Sequence, residues 1–95
     1  MLKRDIKILK SVSEEKRFNI IRMLMKDRKG IFVNNIRKKL KIEATLLSHH
    51  LYILKSAGLI TSTKFGKKVQ YNLNPKCKNV EGTSIVTPSF ILRIL

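Results

Sequence analysis

Apolar positions recur along this chain with two different periods, and the change of period divides it. Leu47, His50, Leu51 and Leu54 fall at i, i+3, i+4 and i+7, so they share one stripe of a helix running from about Lys41 to Gly58. Leu46, Ile53 and Ala57 widen that stripe. Thr45, Ser48, His49, Tyr52 and Lys55 occupy the other face, which holds hydroxyls, an imidazole, a phenol and an ammonium but no carboxylate. After Gly58 the period becomes two. Leu59 to Phe65 is rich in Ile, Thr and Phe, and Val69, Tyr71 and Leu73 alternate with Lys68, Gln70 and Asn72. With Phe65-Gly66-Lys67 between them, these runs predict a β-hairpin with a glycine at its tip.

Upstream, Leu2, Ile6 and Leu9 at i, i+4 and i+7 predict a short helix ending near Ser11. It is too short to be stable alone, so its stripe must dock on something. Ile8 lies off that stripe and is placed to meet the domain or a second chain. Ser13 reads as the cap of a second helix, with Glu14 and Glu15 at its positive end. Phe18, Ile21, Leu24 and Met25, supported by Ile20, are its buried positions, and Asp27 to Gly30 ends it. Arg17 and Arg22 read as solvent-facing, with phosphate contact as the other reading. Gly30-Ile31-Phe32-Val33 suits an extended approach to a third helix that Asn34 caps or begins and that Ile36 and Leu40 bury. The connection Lys41-Ile42-Glu43 is short, and two helices joined so tightly form a helix-turn-helix. Asn74-Pro75 breaks the hairpin. Beyond it only Ser84-Ile85-Val86 suggests a strand, and Phe90, Ile91, Leu92, Ile94 and Leu95 make a dense apolar end that must pack on its own domain or on a partner. The whole reads as mainly α with a β-hairpin. It is a winged helix-turn-helix in the order α-α-α-α-β-β, followed by an irregular apolar tail. Residues 1–74 form the binding domain and 75–95 a segment for packing or dimerisation.

Length and charge sharpen this picture. Ninety-five residues with a 43% hydrophobic fraction make one small domain whose core is marginal, so pairing with a second copy is expected. Lys and Arg number 21 against 6 Asp and Glu, a formal charge of +15. That excess predicts a polyanionic partner. No apolar run approaches the roughly 20 residues of a membrane span, and MLKRDIKILK lacks the unbroken apolar core of a signal peptide. The expectation is a cytoplasmic protein that binds double-stranded DNA and no membrane. Arg37, Lys38, Lys39, Lys41, Lys64, Lys67 and Lys68 would neutralise phosphates, with the last three on the wing, where gatekeeper lysines on an edge strand are the competing explanation. Thr45, Ser48, His49 and Tyr52 would read bases, with Lys55 on the same face. No Ser/His/acid or Cys/His grouping, phosphate loop or carboxylate pair suggests an enzyme.

Ser48 to Ile60, SHHLYILKSAGLI, is similar to the S-x-H-L-x-x-L-x-x-A-G-L-[IV] signature of the ArsR/SmtB family of bacterial winged-helix repressors. Ser13 to Met25 resembles that family's early helix, and Phe65 to Leu73 resembles its wing, G-[KR]-x-x-x-Y-x-L. The resemblance covers about Ile8 to Leu73. It implies a homodimer that binds an operator and represses transcription, with a recognition helix in the major groove. Carried over, Ala44, Thr45, Ser48, His49 and Tyr52 would face base edges or phosphates, and His50 would be structural. Phe32 and Asn34 stand where many family members have the cysteines of a metal site, and no His follows His50. His49 and His50 point about 100° apart on a helix. No metal or other cofactor is expected. Pro75, Gly82 and Pro88 interrupt the family's C-terminal dimerising helix, so the dimer seam would draw on the first helix, with Phe90 to Leu95 contributing. Cys77, the one cysteine, lies between Lys76 and Lys78, which would favour a thiolate and a redox role; otherwise it is incidental.

Two other functions fit the same sequence features. The same basic surface would suit an architectural DNA- or RNA-binding protein without sequence choice, although stacking aromatics are sparse, with Phe32, Phe65 and Phe90 scattered. A protein-interaction module docking through the tail is the third.

Overall fold

The computed structural model describes residues 3–80, 84–86 and 91–93. Four helices come first: α1 (Lys3–Val12), α2 (Glu15–Lys26), α3 (Val33–Leu40) and α4 (Ala44–Ser56). Strand β1 (Ile31–Phe32) precedes α3, and β2 (Ile60–Phe65) and β3 (Lys68–Leu73) follow α4. β3 is central in an antiparallel sheet of order β1-β3-β2, with Phe32 opposite Gln70 and Phe65 opposite Lys68.

The first helix buries a different face from the one its apolar spacing predicts. Ile8 and Val12 enter the core with Asp5 and Ser11, while Ile6 is 44% exposed and Leu9 half-buried. Ser11 is tolerated inside because its hydroxyl donates to the Ile8 carbonyl at 2.7 Å. The start of α2 also differs. Ser13 closes the end of α1, donating to the Lys10 carbonyl at 2.7 Å, and Glu14 is the cap. Its two carboxylate oxygens accept from the amides of Lys16 at 3.0 Å and Arg17 at 3.1 Å, satisfying two amides that have no partner within the helix.

The expected stripe of α2 is buried at Ile20, Ile21, Leu24 and Met25, with Phe18 half-buried against it. Gly30, at φ +94°, turns the chain into β1, and a Cβ there would collide with the Asn72 side chain. α3 begins at Val33, with Phe32 as its cap residue and no side-chain cap bond, so Asn34 sits inside the first turn. Lys41 ends α3 in the left-handed conformation, φ 53°, its amide donating to the Arg37 carbonyl at 2.8 Å. Ile42 buries itself in the turn that follows.

α4 is shorter than the segment that suggested it. Its inner residues Leu47, His50, Leu51 and Leu54 are buried as their spacing predicts, but Leu46 is 37% exposed. Leu46 immediately precedes Leu47 and is turned about 100° from it, which carries it off the stripe. Gly58 at φ +81° then stops the helix: its amide donates to Lys55 and that of Leu59 to Leu54, the paired bonds of a Schellman stop. Leu59 and Ile60 return into the core. Asn74 fastens the end of β3 to this stop, donating from its amide nitrogen to Leu59 at 2.8 Å and from Nδ2 to Gly58 at 2.9 Å.

Beyond the sheet, Cys77 is buried in the core. Burial pushes its thiol pKa up, so the thiolate that Lys76 and Lys78 would favour is opposed by desolvation. The tail has regular structure where an irregular run was expected. Strands β4 (Lys78–Val80), β5 (Ser84–Val86) and β6 (Ile91–Arg93) form a second antiparallel sheet, Asn79 opposite Ile85 and Ile85 opposite Leu92. The expected strand at Ser84–Val86 is its centre. Expectations for Leu2, Gly82, Pro88, Phe90, Ile94 and Leu95 fall outside the described residues.

Candidate nucleic-acid interface

The outer face of α4 presents Ala44, Thr45, Ser48, His49, Tyr52 and Lys55, all exposed, with Tyr52 at 71%. Three turns of helix thus expose donors and acceptors and no carboxylate, the composition that can enter a groove walled by phosphates. Lys55 is the member of this face already engaged within the protein. Its ammonium donates to the Ser62 hydroxyl at 2.6 Å, linking the end of α4 to β2.

The wing is braced rather than free. Phe32 of β1 and Phe65 at the end of β2 meet edge to face, with ring centres 6.0 Å apart and planes at 73°. Lys68 lies over the Phe32 ring, its nitrogen 5.8 Å from the centre. The two phenylalanines, far apart in sequence, are therefore one cluster. The signal that joins them is the β1–β3 pairing, which sequence spacing does not reveal. Lys64, Lys67 and Lys68 are all exposed around this brace.

The structure brings some of the expected basic residues together and separates others. Lys38 of α3 faces Lys67 and Lys68 across a hollow of about 280 Å³ that also holds Asn34 and Asn35. A neighbouring hollow of about 470 Å³ groups Arg37, Lys38 and Lys41 with Asn34. Arg37 also fastens the turn, its Nε donating to the Ile42 carbonyl at 3.4 Å. Lys39 lines a separate cleft between α2 and α3, with Arg22 and Lys26. Asn34 and Asn35 line these hollows without having been expected there; two amides in the first turn of a helix beside a lysine cluster were the available signal. Neither α3 nor α4 has a side-chain cap bond, so their first-turn amides keep hydrogen-bonding capacity toward an oxyanion.

Behind this surface, α4 is seated on α2 through polar groups. His50, 5% exposed, has Nδ1 3.1 Å from Arg17 Nη1 and 3.5 Å from Glu14 Oε2. Arg17 Nε donates to the Ser11 carbonyl at 2.7 Å. Arg17 is thus an internal fastener, against the solvent or phosphate role its sequence position suggests. Burial opposes the charge of Glu14, but the amides of Lys16 and Arg17 and the nearness of His50 and the Arg17 guanidinium outweigh it and lower its pKa. His50 is held below the ordinary histidine value, first by burial; Glu14 works against this, and Arg17, His49 and Lys16 add to it. The rings of His49 and His50 lie 6.0 Å apart, one outside and one inside. Among the described residues no three His, Cys, Asp or Glu side chains gather as a metal site would need, and no helix is long and apolar enough to cross a membrane.

The sequence model described as "Bacterial regulatory protein, arsR family" matches residues 14–62, from the cap of α2 into β2 and more than half of the chain. No curated protein sequence gives a significant match. Among solved structures, HlyU from Vibrio cholerae N16961 superposes with a TM-score of 0.71 at 28% identity, over 78% of this chain and 82% of that one. Reduced HlyU from the same organism gives 0.69 at 28%, over 75% and 73%. The transcriptional regulator HlyU from Vibrio vulnificus CMCP6 gives 0.67 at 30%, over 76% and 73%. With four helices, a hairpin wing and this match, the chain belongs to the arsR family of bacterial regulatory proteins, as a winged helix-turn-helix DNA-binding transcriptional regulator and not an enzyme.

Proposed function

We propose that the protein is a dimeric repressor that binds an inverted-repeat operator, with α4 in the major groove and the β2–β3 wing on the adjoining backbone. One observation carries this reading: the outer face of α4 is exposed and free of carboxylates, in a molecule whose α3 and wing gather Lys38, Lys67 and Lys68 around one hollow. Thr45, Ser48, His49 and Tyr52 supply base contacts, with Ala44 small enough for close approach. Arg37, Lys38, Lys41, Lys64, Lys67 and Lys68 hold phosphates, and Lys39 and Lys55 contribute charge from the edges. The similarity to HlyU, called a transcriptional regulator in Vibrio vulnificus, supports the regulatory role. The exposed Ile6 on α1 supports pairing, because an apolar side chain left by the domain core suits a second copy. Residues 1–74 act as the DNA-binding unit and 75–95 in packing or pairing, and the protein works in the cytoplasm with neither metal nor cofactor.

Selection of bound sequences from a random duplex pool, at two salt concentrations, tests this reading. An enriched inverted repeat is the expected result; a pool that stays random contradicts it. The net charge of +15 favours a second reading, non-specific architectural binding to DNA or RNA. Competition by random duplex and by RNA separates the two: only the architectural protein would lose its labelled site equally to both.

A further inference from the structure

The seat of α4 contains a contact that base reading does not use. Arg17 has only donors and keeps its proton, so the 3.1 Å approach of its Nη1 to His50 Nδ1 requires a neutral imidazole whose Nδ1 accepts. The same guanidinium holds the Ser11 carbonyl at 2.7 Å. One side chain of α2 therefore ties the end of α1 to the inner face of α4.

A proton on Nδ1 reverses this pattern. The imidazolium N–H cannot accept from Arg17, and two positively charged donors would then face each other without water between them. The acceptor within reach is Glu14 Oε2, 3.5 Å away. Protonation would transfer His50 from Arg17 to Glu14 and leave Arg17 Nη1 without its acceptor on α4. We infer that Arg17 is a positioning residue for the recognition helix and that His50 makes its hold proton-dependent, so that neutral His50 keeps α4 in its DNA-reading pose and protonated His50 weakens DNA binding. The inference rests on α4 being the helix that contacts DNA.

The charges around the ring agree with this direction. From α2, Glu14 favours the cation, while Lys16 and Arg17 oppose it; from α4, His49 opposes it; α1 acts through the Ser11 carbonyl on Arg17. Burial is the largest influence and also disfavours the cation. His49, on the outer face, is a second imidazole and is placed to meet DNA itself. The two histidines must therefore be separated.

Nitrogen NMR of the full chain without DNA reads the contact itself. The expected result is a neutral His50 with its proton on Nε2 near pH 7.5, and α4 amide shifts that follow its titration. In Arg17→Gln those shifts no longer follow it. Fluorescence anisotropy with a labelled duplex enriched from the random pool reads the consequence, in a His49→Gln background and from about pH 8 to about pH 5.5. Affinity should fall by up to about tenfold per pH unit below the His50 midpoint, the limit for one coupled proton. In His49→Gln/His50→Gln, whose amide oxygen can accept from Arg17 at every pH, this slope should vanish. A proton on Nδ1 at neutral pH, or equal slopes in the two proteins, overturns the inference. If no duplex binds near pH 8 while NMR shows the Arg17–His50 contact, the DNA reading of α4 has failed and takes the inference with it.

Discussion

His50 and Glu14 make the stability of the fold depend on pH in one direction. The folded pKa of His50 lies below the ordinary 6.5, so between the two values the unfolded chain holds more protons and stability rises with pH. Its contribution is complete above about 6.5 and is lost as pH falls toward the folded value. Glu14 is lowered from 4.5, so its contribution is present above that value and lost as pH falls through its folded one. Urea midpoints measured across this range should fall in two stages, and His50→Gln should remove the upper stage. An upper stage that persists in His50→Gln would assign it to another group. That His50 is inside and His49 outside was legible in the sequence, because neighbouring residues on a helix diverge by about 100°. Arg17 was not legible: its partner lies on another helix, and only the approach of α2 to α4 brings them together. The cap at Glu14 was missed for a related reason. Ser13 is the stronger capping type, but the end of α1 had already engaged it.

Among the elements, α4 was the most readable. Four buried positions at helical spacing and a glycine stop are local features, and the structure keeps all of them. Gly58 separates conformational cost from crowding, since a Cβ there would meet nothing within 4 Å. Gly58→Ala should therefore destabilise the protein by about 1–2 kcal/mol, the cost of a left-handed L-residue. Urea unfolding of the two proteins measures it, and an unchanged midpoint would contradict the helix stop. The wing was readable as a hairpin but not as a braced one, because Phe32 joins it through β1. α1 was misread at its face. Leu2, Ile6 and Leu9 share a stripe, yet the domain takes Ile8 and Val12, and periodicity cannot say which of two apolar stripes a neighbouring helix will cover. In the tail only the strand at Ser84–Val86 was readable, because the three-residue strands paired with it carry too few residues to show a period.

At the scale of the molecule, charge and unpaired apolar surface set what the domain meets. A formal charge of +15 draws it to DNA of any sequence, so the proposed sequence reading rests on α4 rather than on attraction. In the proposed dimer the exposed Ile6 of α1 is a seam position. Ile6→Glu leaves the monomer core untouched and should shift sedimentation toward monomer; a variant that stays dimeric would place the seam elsewhere. The proposed function divides labour between the face of α4 and the basic wing. The direct measurement is affinity for the enriched duplex and for a shuffled one, over a salt series, in Ser48→Ala/His49→Ala and in Lys67→Ala/Lys68→Ala. The α4 pair should lose affinity for the enriched duplex and little for the shuffled one. The lysine pair should weaken both alike and reduce the salt slope by about 2. Equal losses on both duplexes in the α4 pair would contradict that division.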